Sequence, residues 1–301
     1  MRALQAEYEE YRSWPKWYYH LTFDALEKGQ LFNDDGEYAH GMNSVAIGQY
    51  IHNLSILAFN LMINHCHILL CGSGENMVKF FTFMKGRIND RLKKDGYPPL
   101  PKKYGFKAVR VEDKKRLADT IIYIARNPVK ACPNVTPSSY PWGSTSMIFN
   151  GMKDFYEREP LSVLSISEAR SMLKSRVPLP DNYLFNRKKG FILPESYVLT
   201  AKAEETMGNS WNYSYGIIRN IDGYLRIAEG IGETVTLSED ELNDIISQTI
   251  KKTFNAGSIR DLSTDDKCRL AIILKNRYKV SIKRIARKTG IDVETLKKLL
   301  E

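Results

Sequence analysis

Two histidines stand one residue apart in "NHCHILL", residues 64–70, at the end of an apolar stretch. On a strand, side chains at i and i+2 share one face. His65 and His67 therefore point together, while Cys66 points the other way into packing. Two imidazoles on one reachable face can hold a single divalent metal. Coincidence accounts for the spacing as well, and a metal site needs at least one further ligand. Farther along, "YIARNP" places Tyr123 and Asn127 four residues apart, on one face of a helix. A tyrosine hydroxyl can attack phosphorus once it is deprotonated or polarised. Its ordinary pKa of about 10 means that it needs help near neutral pH. A metal on a non-bridging phosphate oxygen would supply that help from the substrate's side. Asn127 could add an amide oxygen to the two imidazoles. Taken alone, Tyr123 reads better as a core aromatic of an amphipathic helix.

These residues need a scaffold. "WYYHLTF" (17–23) is aromatic and β-branched enough for a strand. "HGMNSVAIGQYIHNL" has helical apolar spacing. "SILAFNLMIN" and "HCHILLCGS" read as a hairpin divided near 62–64. "NMVKFFTFMKGRINDRLKKDG" carries a helical stripe of Met77, Phe80, Phe81, Met84, Ile88 and Leu92. "FKAVRV" is a short strand, and "EDKKRLADTIIYIARNP" a helix expected to stop at Pro128. The order β-α-β-β-α-β-α predicts an α+β fold. It is a ferredoxin-like split βαβ antiparallel sheet with helices on one face, followed by a mainly helical C-terminal region. The expected domains are 1–150 for the catalytic fold, 151–260 for a connecting region of unclear role, and 261–301 for a helix-turn-helix. Within the middle region, Ser165 or Ser167 and Ser238 read as helix caps, the last with Glu241 as a capping box.

The set "YHLTF", "NHCHILL", "YIARNPVKA" and "YPWGS", in this order, resembles the single-tyrosine transposases of the HUH (His-hydrophobic-His) endonuclease superfamily, and among them the REP-associated tyrosine transposases. The resemblance spans about residues 14–146. It implies His65 and His67 as metal ligands, Tyr123 as the nucleophile that forms a 5′-phosphotyrosine link with a cleaved DNA strand, and Asn127 as a third ligand. It implies Mg²⁺ or Mn²⁺; imidazole suits Mn²⁺ better, and Mg²⁺ prefers oxygen. Two departures are "YPWGS", where Gly143 stands for a common Ser, and "VKA" for "VRA", where Lys130 stays basic. The Gly143 departure falls in a loop and is expected to weaken nothing catalytic. His20 lies where relatives often have His, and no ligand role is assigned to it.

The charge points to a polyanion. The chain has 301 residues, 44 Lys+Arg and 35 Asp+Glu. The whole net charge of +9 is accounted for by residues 267–298, with 11 basic and 2 acidic side chains. Helices over 265–277, 282–288 and 293–300, with Ala286 small and Gly290 in a turn, suit a helix-turn-helix. Lys283, Arg284, Arg287, Lys288, Thr295, Lys297 and Lys298 would face DNA there, unless the charges merely solvate a three-helix packing. A second basic region, residues 79–130, holds 15 basic and 5 acidic side chains, including Lys85, Arg87, Arg91, Lys93, Lys94, Lys102, Lys103, Lys107, Arg110 and Lys130. Aromatics interleave with them, as suits single strands or hairpins, although Phe80 and Phe81 read better as core.

Several classes are disfavoured. No apolar run reaches membrane-span length, and the start lacks a signal-peptide core. Four scattered cysteines argue against a zinc knuckle or a disulfide framework and suit a cytoplasmic protein. The expectation is thus a metal-dependent single-strand DNA nickase and strand transferase acting on hairpin-bearing DNA as a monomer or homodimer. The alternatives are a non-catalytic, sequence-specific DNA-binding regulator on the same fold and, more weakly, an RNA binder.

Overall fold

The computed structural model describes residues 8–23, 29–101, 104–132, 134–150 and 157–300. The chain forms two compact units, 1–231 and 232–301. The divide therefore falls at neither 150 nor 260. Residues 157–231 pack with the sheet, and the helix that begins at Glu239 belongs with the C-terminal ones.

The first unit is built on strands β1 (Trp17–Phe23), β2 (Ser55–Leu61), β3 (Cys66–Gly72) and β4 (Phe106–Arg110), in the order β2-β3-β1-β4. All neighbours are antiparallel. With helices α1 (Asp35–Ile51) and α2 (Gly74–Lys94) as the crossovers, this is the split βαβ arrangement expected from the order of elements. The hairpin turns where the apolar runs suggested. Met62 N donates to His65 O at 2.8 Å, leaving Ile63 and Asn64 as a two-residue loop.

Strands β1 and β3 alternate, β2 shifts register between Ile56 and Ala58, and each face has its own cover. Tyr19, Leu21 and Phe23 of β1 and Cys66, Ile68 and Leu70 of β3 join one core with Met42 and Ile47 of α1 and Phe80, Phe81 and Met84 of α2. Helix α1 is buried along nearly its whole length, with Asp34 accepting from Glu37 N as its N-cap. On the other face stand His20, Thr22, Asn60 and His67, covered by α3 (Lys114–Ala131). The two crossover helices thus share one face as expected, and the tyrosine helix lies on the opposite one.

Helix α3 does not stop at Pro128; it continues to Ala131. Proline has no N–H, so the carbonyl of Ile124 loses its helical donor. Asn60 Nδ2 donates to Ile124 O at 2.8 Å and fills that vacancy from the sheet. Asn60 Oδ1 in turn accepts from Thr145 Oγ1 at 2.9 Å.

Residues 142–144 extend the sheet beyond β2. Leu61 N donates to Trp142 O and Ser144 N to Phe59 O, and Gly143 bridges Asn60. A Cβ on Gly143 would come within 1.9 Å of Asn60 Oδ1 and 2.5 Å of Phe59 O. Only glycine lets the segment approach β2 so closely.

A small sheet of β5 (Glu159–Pro160), β6 (Leu184–Asn186) and β7 (Phe191–Ile192), with α4 (Ile166–Leu173), packs on α1 and α2. Ser165, with Glu168, caps α4. Helices α5 (Thr200–Met207), α6 (Ser210–Arg219) and α7 (Ile221–Ile231) pack with α3.

The second unit holds α8 (Glu239–Thr253), α9 (Thr264–Asn276), α10 (Ile282–Thr289) and α11 (Val293–Leu300). Ser238 and Glu241 form the expected capping box. Gly290, at φ +75, ends α10, and Leu270, Leu274, Ile285 and Leu296 fill the core. Among the described residues no helix is long and apolar enough to cross a membrane.

Candidate active site

The hairpin turn and the register of β3 fix the histidines. His67 pairs with Thr22 on one side and Asn60 on the other, at the centre of the sheet, and is fully buried. His65 sits just before β3, at the mouth of the turn, and is half-buried. Their ring centroids are 4.9 Å apart. Cys66, between them, is buried in the opposite core, as the alternation requires.

The tyrosine helix brings its phenol to the same place. The Tyr123 ring lies 5.2 Å from that of His67, at 90°, and 5.6 Å from that of His20. His20 completes the cluster: its Nε2 lies 3.2 Å from His67 Nδ1. His65, His67 and Tyr123, picked out from separate parts of the sequence, thus meet.

All three imidazoles are neutral near pH 7. Burial pushes His65 down to about 4, and burial with the Arg116 charge pushes His20 to about 3. Burial, with its two histidine neighbours, drives His67 well below its ordinary value. His65 Nδ1 lies 2.7 Å from Asn64 Oδ1, an oxygen that can only accept. That nitrogen therefore carries the proton, and Nε2 holds the lone pair. The His67 Nδ1 to His20 Nε2 contact joins two imidazoles, and where His67 is the donor its Nε2 likewise holds the lone pair. Neutral rings, that of His65 oriented by its bond at Nδ1, are a donor set that fits a divalent cation.

Asn127 is less simply placed. Its Nδ2 donates to Tyr123 O at 2.9 Å, one turn back along α3, so Oδ1 is the end left to face a ligand. Among the described residues, no group of three or more His, Cys, Asp or Glu side chains is arranged to hold a metal ion. A third ligand would have to be an amide, backbone or water oxygen.

The site is covered. Tyr123 has no exposed surface. Tyr224, on α7, stacks on it with centroids 4.8 Å apart and planes at 27°. The Arg126 guanidinium, one turn after Tyr123 and itself buried, lies 4.8 Å from the Tyr224 ring centre. Helix α7 is tied down by Asp119, one turn before Tyr123: it accepts from Asn220 Nδ2 at 2.7 Å and from Lys115 at 3.0 Å, with Arg226 at 3.8 Å. Nothing near residues 221–231 in the sequence announces this role. The one signal available is an arginine on the buried face of the tyrosine helix, which calls for an aromatic or acidic neighbour.

The basic residues divide sharply. Arg87 donates to Ser44 Oγ and to the carbonyls of Leu173 and Lys174, holding the end of α4, so its charge is not offered to a polyanion. Lys85 donates to Tyr104 O, and Arg91 pairs with Asp95. Arg110 is exposed and lies over the Trp17 ring at 4.6 Å. Lys93 and Lys94 are exposed, and Lys130 is half-buried. Lys102 and Lys103 lie outside the described residues. Phe80 and Phe81 are core. In the second unit, Glu239 gathers Arg284, Arg287 and Lys288 within 2.9 Å. Lys297 pairs with Glu294. Lys283, Thr295 and Lys298 are exposed, Thr295 bonding to Asp292.

No protein-family model and no curated protein matches the chain. One solved structure similar to it is that of a REP-associated tyrosine transposase bound to a REP hairpin. It is 16% identical over 48% of this chain and 86% of that one, with a TM-score of 0.39.

Proposed function

We propose that the protein nicks and rejoins single-stranded DNA, with Tyr123 as nucleophile. The observation that carries this reading is the meeting of three side chains: the Tyr123 phenol edge-on to His67, and His67 beside His65, on the covered face of the sheet. His65 and His67 would hold a divalent cation through Nε2, with Asn127 Oδ1 as the further oxygen. Bound there, such a cation withdraws charge from the scissile phosphate.

The chain's own residues do the rest. Tyr123 Oη forms a bond to phosphorus as the bond to the 3′-oxygen breaks. The phenol loses a proton and the 3′-oxygen gains one. The phosphodiester is conserved as a tyrosine ester, so a later 3′-hydroxyl can reverse the step without an energy source. His20 holds the His67 ring in place through its Nδ1. Exposed Lys93, Lys94 and Arg110 are cations of the first unit open to DNA. The C-terminal helices α10 and α11 serve as a helix-turn-helix, with Lys283, Thr295 and Lys298 toward DNA.

Burial of Tyr123 beneath Tyr224 favours a second reading, in which the same fold binds DNA as a regulator without cutting it. Incubation with hairpin-bearing single-stranded DNA and Mn²⁺ separates the two. The nuclease reading expects a covalent protein–DNA band on a denaturing gel that is absent for Tyr123→Phe. No band from wild type, or a band that survives Tyr123→Phe, defeats it.

A further inference from the structure

Helix α6 buries one face and leaves the other bare. Tyr213, Gly216 and Ile217 are buried, and Tyr213 donates its hydroxyl to Thr145 O at 2.8 Å. A Cβ on Gly216 would come within 2.4 Å of Ile122 Cδ1, so α6 lies directly on α3 beside the residue that precedes Tyr123. The opposite face presents Trp211, Tyr215 and Ile218, which are 67%, 51% and 63% exposed. They follow i, i+4, i+7 spacing and form one strip. The two rings are already stacked on each other, centroids 4.8 Å apart and planes at 13°.

A contiguous apolar strip left in water marks an interaction surface. Its dimensions and charge narrow the occupant. The strip is three side chains long, far short of the roughly 800 Å² per partner that a stable protein interface buries. The helix "SWNYSYGIIR" contains no acidic residue and ends on Arg219, so nothing on it repels a phosphodiester. Flat aromatic faces on a helix that carries no carboxylate suit bases, each of which has a π-face whatever its identity. The other face of the same helix rests on α3. The stack is therefore within about one helix diameter, 10–12 Å, of the helix that carries Tyr123.

We infer that Trp211 and Tyr215 form a stacking platform for the unpaired bases of single-stranded DNA, seating a strand alongside α3. This rests on the reading of DNA as substrate, but not on the chemistry of Tyr123. The test uses the full chain, a fluorescent oligodeoxythymidine of about 16 nucleotides, and a blunt duplex of equal length, with anisotropy measured at fixed salt. Trp211→Ala and Tyr215→Ala should each weaken single-strand binding about tenfold and leave duplex binding within about twofold. Trp211→Phe should retain most of the affinity, and because no phosphate contact is removed the salt slope should not change. Both side chains are exposed, so an unchanged melting temperature will show that the variants are folded.

Alanine variants that bind the oligonucleotide as tightly as wild type overturn the inference and leave the nuclease reading standing. So does an equal loss on single strand and duplex. So does a change in sedimentation showing that the strip joins two copies of the chain. Wild type that fails to bind single-stranded DNA overturns both.

Discussion

The side-chain amide of Asn60, on a strand, supplies the hydrogen bond that Pro128, on a helix, removes: Asn60 Nδ2 reaches Ile124 O at 2.8 Å. The bond lets α3 run past its proline and keeps Asn127 helical, in line with Tyr123. Asn60→Ala should leave a buried carbonyl and the Thr145 hydroxyl unsatisfied, at a cost of about 1–3 kcal/mol. Thermal denaturation checks this; an unchanged melting temperature would mean that the carbonyl finds another donor.

Gly143 is a second place where one atom decides. Gly143→Ser would drive a Cβ into Asn60 Oδ1 and Phe59 O, forcing residues 142–144 off the edge of β2. The expected loss is about 1–3 kcal/mol, the usual cost of overpacking. Slower unfolding than wild type in a denaturant series would contradict it.

Acid should loosen the first unit through its histidines. His20, His40 and His65 titrate near 3, 4 and 4 in the folded chain, and burial with its histidine neighbours holds His67 well below its ordinary value, against about 6.5 unfolded. The folded pKa values are depressed, so below pH 6.5 the unfolded chain binds more protons and stability falls as pH falls. At pH 5 each of His20, His40 and His65 gives up roughly 2 kcal/mol. Melting temperature should therefore decline steadily from pH 7 to pH 4, and Mn²⁺ should raise it at pH 7 more than at pH 5, because protons compete for the same nitrogens. A flat profile would argue that these rings are wetter than the structure places them.

Helix α7 covers the phenol and is held by Asp119, so loosening that anchor should open the site. In Asp119→Ala, amide hydrogen exchange over residues 221–231 should quicken about 5- to 150-fold, the range of a lost bond of 1–3 kcal/mol, while β3 keeps its protection. Uniform acceleration across both elements would show general destabilisation instead.

Glu239 holds three cations of the α10 segment, and the pairing draws its carboxyl down to about 2. Glu239→Gln should free them for phosphate, tightening DNA binding and steepening the log–log salt slope by roughly 1–2. Deletion of residues 232–301 should do the reverse. Equal slopes for all three proteins would remove this unit from the DNA surface.

Much of the site could be read in one dimension because its rules are local. A period of two puts His65 and His67 on one face and Cys66 on the other. A period of 3.6 puts Tyr123 and Asn127 on one side of α3. What escaped was set by contacts distant in sequence. Pro128 reads as a stop unless Asn60 is known to stand opposite it. Gly143 reads as a loop residue, and its packing role shows only when its neighbour proves to be β2. Tyr224 stacks on Tyr123 from a helix with no chemical signature of its own. A count of basic residues cannot tell Arg87, spent on the carbonyls of Leu173 and Lys174, from Lys93, which faces water.

The central claim is that Tyr123 becomes joined to DNA, and mass spectrometry of the trapped product tests it most directly. After Mn²⁺ and hairpin-bearing single-stranded DNA, followed by nuclease and protease digestion, the peptide containing Tyr123 should carry a 5′-nucleotide phosphate on the phenolic oxygen. It should be lost in His67→Ala. A nucleotide on any other tyrosine, or a nicked strand with an unmodified Tyr123 peptide, would contradict the account.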